Sequence, residues 1–135
     1  MRTVNRLLMA AVLVIAVAAC GSGTDNDPTG QAWVLTELDG APPLDGTTID
    51  LTITTDSVSG SSGCNTYTGG ATLTMETSTL EVDPELASTM MACEQPIMDQ
   101  EQRYLEALAG VASYEMAADE LILKDSQGIA FATFR

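Results

Sequence analysis

The side chains that could carry chemistry in this 135-residue chain are limited by the absence of histidine. Serine–histidine and cysteine–histidine catalysis and histidine-bound zinc are therefore excluded. A serine nucleophile can use lysine instead, but Lys124 is the single lysine and no Ser-x-x-Lys arrangement contains it. Nineteen acidic residues leave a pair of catalytic carboxylates possible, although none stands in an apolar stretch that would raise its pKa. We expect no enzyme activity and no cofactor.

Cys20 has a sequence context that indicates covalent modification. Residues 1–19 begin with two arginines, continue without charge from Leu7 to Ala19 and end on small residues. This order is typical of a secretory signal and is too short for a membrane-spanning helix. The segment Val17-Ala18-Ala19-Cys20 resembles the bacterial lipobox, in which a diacylglycerol is attached to the cysteine and a peptidase cuts before it. We predict a lipoprotein signal peptide at 1–19 and lipidation of Cys20, with an ordinary signal peptide as the alternative.

The other two cysteines, Cys64 and Cys93, lie in the part of the chain that such a signal would export, where disulfides persist. We expect them to form a disulfide. The bridge would close a loop of about 30 residues and contribute about 3 to 4 kcal/mol in the chain-entropy description. The alternatives are a reactive thiol or a metal site. Because two thiolates without histidine do not complete a tetrahedral set, we expect no metal.

The charge balance limits the possible partners. After residue 19, nineteen acidic residues stand against three basic ones, Arg103, Lys124 and Arg135, which gives a net formal charge of −16. Nucleic-acid binding needs a basic face, and attachment to an anionic membrane surface needs a polybasic patch. The sequence supplies neither. We therefore expect no nucleic-acid partner and a membrane link only through acyl chains on Cys20.

Three further features have a structural and a functional interpretation. The run from Gly60 to Gly70 is rich in glycine, serine and threonine, but it lacks the Gly-Lys-Ser/Thr ending of a phosphate-binding loop. Asn65 is interpreted as a turn residue whose amide satisfies nearby backbone groups rather than as a ligand contact. Four methionines are interpreted as core residues, with a pliable groove for an apolar ligand as the alternative. They are Met90, Met91, Met98 and Met116.

Hydrophobic spacing predicts the elements that position these residues. Ile49, Leu51 and Ile53 alternate with polar residues, which indicates a strand with one buried face. Similar short patterns predict strands near 33–35 and at 58–62, 71–75, 80–82, 113–116, 121–124 and 129–134. The glycines at 60, 63, 69 and 70 are interpreted as turns or bulges. Apolar residues at helical spacing after Pro96, followed by Gly110, predict one amphipathic helix at about 95–109.

These elements predict a mainly β (α+β) fold. We expect a curved antiparallel sheet of seven or eight short strands that closes toward a small barrel or sandwich, with one embedded helix. Residues 21–30 contain no apolar side chain to bury except proline, so we expect 20–30 to be a lipidated, flexible tether. The folded domain is expected at 31–135, a size typical of one core.

Three segments resemble the META domain, also called HslJ-like, in their order and spacing. They are Trp33-Val34-Leu35, the run from Val58 to Gly69 with Gly63-Cys64-Asn65 near its centre, and Thr89-Met90-Met91-Ala92-Cys93. The resemblance implies a small, mostly β domain with an embedded helix. It also maps the family's two motif cysteines onto Cys64 and Cys93. Family members often have basic residues near the second cysteine, where this chain has Met90.

The resemblance implies an envelope lipoprotein linked in general terms to stress, drug tolerance, motility or virulence, without a settled catalytic activity. We expect a non-enzymatic binding or stress-protective module at the membrane surface, with an envelope protein or an apolar molecule as partner. Because Gly21 rather than aspartate follows Cys20, we expect the outer membrane in a two-membrane cell, or the outer face of the membrane in a one-membrane cell. The alternatives are a carrier of a small apolar ligand inside the barrel and a carboxylate-based hydrolase.

A structure can separate these hypotheses. An open apolar pocket would favour a bound ligand, and a filled core would favour a purely structural role. An exposed aromatic patch would favour a protein partner. The large amphipathic side chains available for such a patch are Trp33, Tyr67, Tyr104 and Tyr114.

Overall fold

The computed structural model describes residues 26–135, and the predictions for the signal segment and for Cys20 lie outside the described residues. This part of the chain forms nine strands, one α-helix and one turn of 3-10 helix at Met75–Thr77. In chain order the elements are β1 (Ala32–Leu38), β2 (Asp50–Ile53), β3 (Ser57–Ser61), β4 (Thr66–Thr74), β5 (Thr79–Val82), β6 (Ala87–Ser88), α1 (Gln95–Ala109), β7 (Ser113–Ala117), β8 (Glu120–Lys124) and β9 (Ala130–Phe134).

The strands pair antiparallel and close into a ring. Their order is β3-β2-β1-β9-β8-β7-β5-β4, and β3 pairs with β4 to join the two ends. The second edge of β4 is shared, because β5 pairs with residues 71–74 and β6 with residues 67–68. The prediction of a mainly β, antiparallel, curved sheet with one helix is confirmed. The number of strands is nine rather than seven or eight.

The difference in strand number arises between Thr66 and Ser88. Gly69 and Gly70, expected to mark a turn or bulge, lie inside β4, which continues from Thr66 to Thr74. Gly69 lies under the Leu86 side chain, and a Cβ at this position would require that side chain to move. The extra strand, β6, has two residues and is too short to show a recognisable alternation.

One apolar core fills the centre of the ring. Ile49, Leu51 and Ile53 are all fully buried, as their alternation predicts. The helix contributes Tyr104, which is completely buried and lies edge-on to the rings of Tyr67 and Phe134, at centroid distances of 5.7 and 6.4 Å. Sheet and helix therefore share one core, and burying its apolar surface is the main source of stability.

Helix α1 begins and ends where the sequence predicts. Pro96 lies in its first turn, and the N–H of Gly110 donates to the carbonyl oxygen of Ala107 at 3.0 Å where the helix stops. Gln100, only 2% exposed, accepts a hydrogen bond from the N–H of Leu44 at 2.7 Å. This hydrogen bond joins the β1–β2 loop to the helix. Within residues 26–135, no helix has both the length and the apolar character needed to cross a membrane.

The segment that precedes β1 packs against the domain. The Tyr114 hydroxyl donates to the carbonyl oxygen of Asn26 at 2.7 Å, and the Trp33 indole donates to that of Pro28 at 2.7 Å. Pro28 is fully buried, and the Asn26 side chain donates to the carbonyl oxygen of Met75 at 2.9 Å. Within the described residues, contacts with the fold are thus already present at Asn26, five residues before the expected domain start.

Candidate functional site

The Glu101 carboxylate on α1 binds the loop that precedes β4. It accepts hydrogen bonds from the Ser62 hydroxyl at 2.6 Å and from the Asn65 backbone N–H at 2.8 Å. The Asn65 side-chain amide donates to the second carboxylate oxygen at 2.7 Å. Ser62 and Asn65 are buried, and Glu101 is one of the hydrogen-bond partners that their polar groups need there. The carboxylate thus fixes the loop to the helix.

The same contacts keep Glu101 ionised. Burial by itself would raise the pKa of the carboxyl group, but the hydrogen bonds from Ser62 and Asn65 outweigh burial, so the pKa of Glu101 lies below its usual range. A lowered pKa means that the negative charge is maintained in the folded protein at neutral pH. Glu101 is therefore an anionic hydrogen-bond acceptor, which is the opposite of what a general acid needs.

Asn65 joins this loop to a second segment. Its side-chain oxygen accepts from the Thr89 hydroxyl at 2.9 Å and from the Met91 backbone N–H at 2.7 Å. The interpretation of Asn65 as a turn residue serving nearby backbone groups is therefore wrong in one respect. Its partners Thr89, Met91 and Glu101 lie 24 to 36 residues away in the sequence.

A disulfide connects the same two segments. Cys64 and Cys93 are bonded, with their Cα atoms 6.0 Å apart, as predicted. Gly63, directly before Cys64, has a positive φ of 107°, a backbone conformation that favours glycine. We call the two segments, residues 62–65 and 89–93, the disulfide loops. The disulfide and the contacts of Asn65 hold them together, and Glu101 joins the first of them to α1.

An open groove lies beside the disulfide loops. Its volume is about 570 Å³, and we call it the Met groove. Met90 is 95% exposed and Met91 62% exposed, so the interpretation of these two methionines as core residues is wrong. Met116, in contrast, packs against the core. The lining residues are Asn65, Leu86, Ser88, Thr89, Met90, Met91, Ala92, Met98 and Glu101.

The other predicted site residue lies elsewhere. Trp33 is buried in β1, where its indole binds the Pro28 carbonyl, so it has no part in the groove. The remaining candidates, Gly63, Asn65, Thr89 and Ala92, belong to the disulfide loops. Among residues 26–135, no group of three or more cysteine and acidic side chains is arranged to hold a metal ion.

The large amphipathic aromatic residues do not form a surface patch. Trp33, Tyr67, Tyr104 and Tyr114 are all buried. The hydroxyls of Tyr67 and Tyr104 lie 2.7 Å apart, and that of Tyr67 also donates to the carbonyl oxygen of Asp50 at 2.9 Å. Burial raises the pKa of both phenols, so they stay neutral. These four aromatic residues belong to the core. The exposed apolar surface beside the disulfide loops comes from methionine side chains.

The antiparallel strands form a closed ring around a core that they share with one helix, and two disulfide-linked loops lie beside that helix. This architecture defines a small, mostly β class of domain. The chain belongs to the META domain family, whose model matches residues 26–135.

Two solved structures are similar to this chain. A protein from Burkholderia xenovorans, determined by NMR, is 30% identical over 79% of this chain and 81% of that chain, with a TM-score of 0.59. A crystallographic structure of a DUF4847 family protein from Bacteroides vulgatus is 14% identical over 83% of this chain and 96% of that chain, with a TM-score of 0.58, and shares the fold. No match is found among curated proteins.

Proposed function

We propose that the chain is a non-enzymatic cell-envelope lipoprotein, anchored by acyl chains on Cys20, whose META domain binds an envelope protein through the Met groove. The observation that carries this proposal is the exposure of Met90 and Met91 next to Leu86 and Met98. Contiguous apolar surface on a soluble domain is typical of an interaction site. Thioethers adapt to differently shaped apolar partners, which suits such a surface.

The position of the groove fits a partner held away from the anchor. Thr66, at the start of β4, is hydrogen-bonded to Thr89 of the disulfide loops. Met75, directly after the end of β4, binds Asn26, where the described chain begins. The groove and the start of the domain therefore lie at opposite ends of a nine-residue strand, which extends about 25 Å or less. A bilayer that holds Cys20 would leave the groove facing outward, on the outer membrane of a two-membrane cell or outside a single membrane.

Two features support a binding role over the alternatives. The pKa of Glu101, the carboxylate that lines the groove, is lowered, which does not suit the general acid that a carboxylate-based hydrolase needs. The centre of the ring is filled by fully buried side chains such as Tyr104 and Phe134, so a small apolar ligand inside it would have to displace the core. The Met groove, in contrast, offers an apolar contact at the surface without any displacement of the core.

A stress-protective structural role is the second candidate. It is favoured by the filled core and by the disulfide, both of which stabilise the domain without any partner. The two candidates differ in what they require of the surface. A structural role tolerates polar substitutions at Met90 and Met91, whereas a binding role does not.

Site-specific crosslinking in intact cells tests the binding role. A photo-crosslinking amino acid replaces Met90 in the full chain, and as a control it replaces Ile129, which is 58% exposed before β9. We expect a discrete crosslinked product from position 90 that Met91→Ser weakens, and no such product from position 129. Equal products at both positions, or none at position 90, would contradict the binding role and favour the structural one.

Mass spectrometry of the membrane fraction tests the anchor independently. The proposal requires a mature chain that begins at Cys20 and carries acyl chains. The variant Cys20→Ser should lose the acyl mass and leave the membrane fraction. An unmodified Cys20 in the wild-type chain would overturn the lipoprotein assignment without affecting the groove.

A further inference from the structure

We infer that the Met groove takes a basic, apolar peptide segment of an envelope protein, an inference that rests on the proposed binding function. The lining of the groove supplies apolar contacts for such a segment. Leu86, Met90, Met91 and Met98 offer side chains that can pack against aliphatic or aromatic residues of a partner. The groove is open, and its volume of about 570 Å³ falls in the range of sites that hold several apolar groups.

The charge around this lining is negative. Glu101 lines the groove and stays ionised because it accepts three hydrogen bonds. Glu85 directly precedes Leu86, and Glu94 directly precedes the first residue of α1, four residues before Met98. Both Glu85 and Glu94 are exposed. Carboxylates thus stand next to the apolar lining on the β6 side and on the helix side.

Two of the three basic residues in the described part of the chain are engaged away from these carboxylates. Lys124 pairs with Glu115 at 2.5 Å, and Arg135 pairs with Glu120 at 2.6 Å, both among β7, β8 and the end of β9. Arg103, the third, lies on α1 two residues after Glu101, which places it on a different face of the helix from that carboxylate. The groove therefore carries a negative potential in a domain that is itself strongly acidic, and complementary charge steers and orients a partner.

These two properties select one class of partner. A purely apolar segment would leave the surrounding carboxylates uncompensated, and an acidic segment or an anionic lipid surface would be repelled. A segment with aliphatic residues on one side and lysine or arginine on the other satisfies both the methionines and the carboxylates. Grooves rich in methionine recognise amphipathic peptides in this general way.

Peptide binding tests this inference. The probes are a fourteen-residue peptide of leucine and lysine and a matched peptide of leucine and glutamate. Each is titrated onto the full chain carrying Cys20→Ser, immobilised on a biosensor surface without detergent. We expect the lysine peptide to bind, the glutamate peptide not to bind, and the affinity of the lysine peptide to fall several-fold between low and high salt.

Matched variants separate the groove from the general acidity of the domain. Met90→Ser with Met91→Ser should weaken the lysine peptide at least tenfold, whereas the exposed control Ile129→Ser should not. Glu85→Gln with Glu94→Gln should weaken it about threefold or more. Glu37→Gln with Glu76→Gln changes the net charge equally, away from the groove, and should have little effect.

The outcomes also distinguish this inference from the proposed function. Equal effects of the two glutamate pairs would overturn the inference, because binding would then not be localised to the groove. Equal binding of both peptides would overturn it as well, because the partner would then not need basic residues. Failure of both peptides to bind would also overturn it. If the crosslink from position 90 in cells still forms in that case, the binding function stands with a partner of different chemistry, and if it does not, both fall.

Discussion

The meander formed by β7, β8 and β9 and the disulfide loops are stabilised by different means. In the meander, five consecutive residue pairs join β7 to β8, and every second side chain of β8 enters the core. In the disulfide loops, one covalent bond and the contacts of Asn65 hold the two segments together, and Glu101 joins the first of them to α1. Stability is spread over many similar contacts in the first region and concentrated in a few different ones in the second.

The largest expected effect of this difference comes from the disulfide. Cys64→Ser and Cys93→Ser should each lower the free energy of unfolding by about 3 to 4 kcal/mol, because the bridge constrains the unfolded chain. The double variant should lose about the same amount, since one bridge is removed in every case. Urea unfolding of the three variants measures this, with reduced wild type as the control. Additive losses in the double variant would mean that the two cysteines act separately.

A slightly smaller effect is expected from a cavity in the meander. Leu123 on β8 is fully buried, so Leu123→Ala should cost about 3 kcal/mol through lost burial and the cavity left behind. The loss should be the same under oxidising and reducing conditions, in contrast to the disulfide loops. A loss that depended on the redox state would show that the two regions do not behave independently.

Removing the charge of Glu101 should have the next largest effect. Glu101→Gln weakens charge-assisted hydrogen bonds to Ser62 and Asn65, for which we expect a loss of about 2 kcal/mol at pH 7. The folded-state pKa of Glu101 is lowered, so its contribution is present above the unfolded-state pKa and is lost as the pH falls through the folded-state value.

Unfolding of wild type and Glu101→Gln at pH 7 and at about pH 3 measures this dependence. The difference between the two proteins should shrink at the lower pH, which lies below the ordinary pKa of glutamate of about 4.3. Glu106→Gln, an exposed change on the same helix, serves as the control. An undiminished difference at low pH would mean that packing, and not charge, explains the loss.

The smallest effect is expected at the surface of the meander. Lys124 and Glu115 form an ion pair between neighbouring strands, with both side chains partly exposed. Lys124→Gln should change the free energy of unfolding by less than about 1 kcal/mol, because solvent screens the pair and side-chain entropy opposes it. Thermal unfolding at low and high salt measures it. A loss as large as that of Glu101→Gln would mean that the meander also depends strongly on a single polar contact, as the disulfide loops do.

The sequence predicts the regular parts of the molecule well, for a physical reason. A strand or helix that buries one face against the core repeats apolar residues at its own period. This repeat is visible in Ile49, Leu51 and Ile53 and in the helical spacing at 95–109. Local periodicity did not reveal the first half of β4, because Gly69 interrupts the pattern where Leu86 packs over the strand. It also gave no sign that Asn26 and Pro28 belong to the fold, since a polar side chain, backbone carbonyls and a single buried proline make these contacts without any periodic pattern.

The site was predictable only in part. The Cys64–Cys93 bridge follows from the number of cysteines and the expected export. The contacts of Asn65 with Thr89 and Glu101 join residues far apart in the chain, and no local pattern encodes such pairs. One signal was present nevertheless. Glu101 shares its helix face with Tyr104 and Leu108, and an acidic residue on the buried face of an amphipathic helix needs hydrogen-bond donors around it.

The docking of Asn26 to Met75 and Tyr114 limits how far the domain can move if Cys20 is acylated. Six residue steps separate Cys20 from Asn26, which is at most about 22 Å of extended chain. The domain would then stay within a thin layer above the bilayer. A partner in the same membrane would meet the groove at an effective concentration that can reach the millimolar range. A groove of modest intrinsic affinity would be sufficient under those conditions, and release from the membrane would end the association.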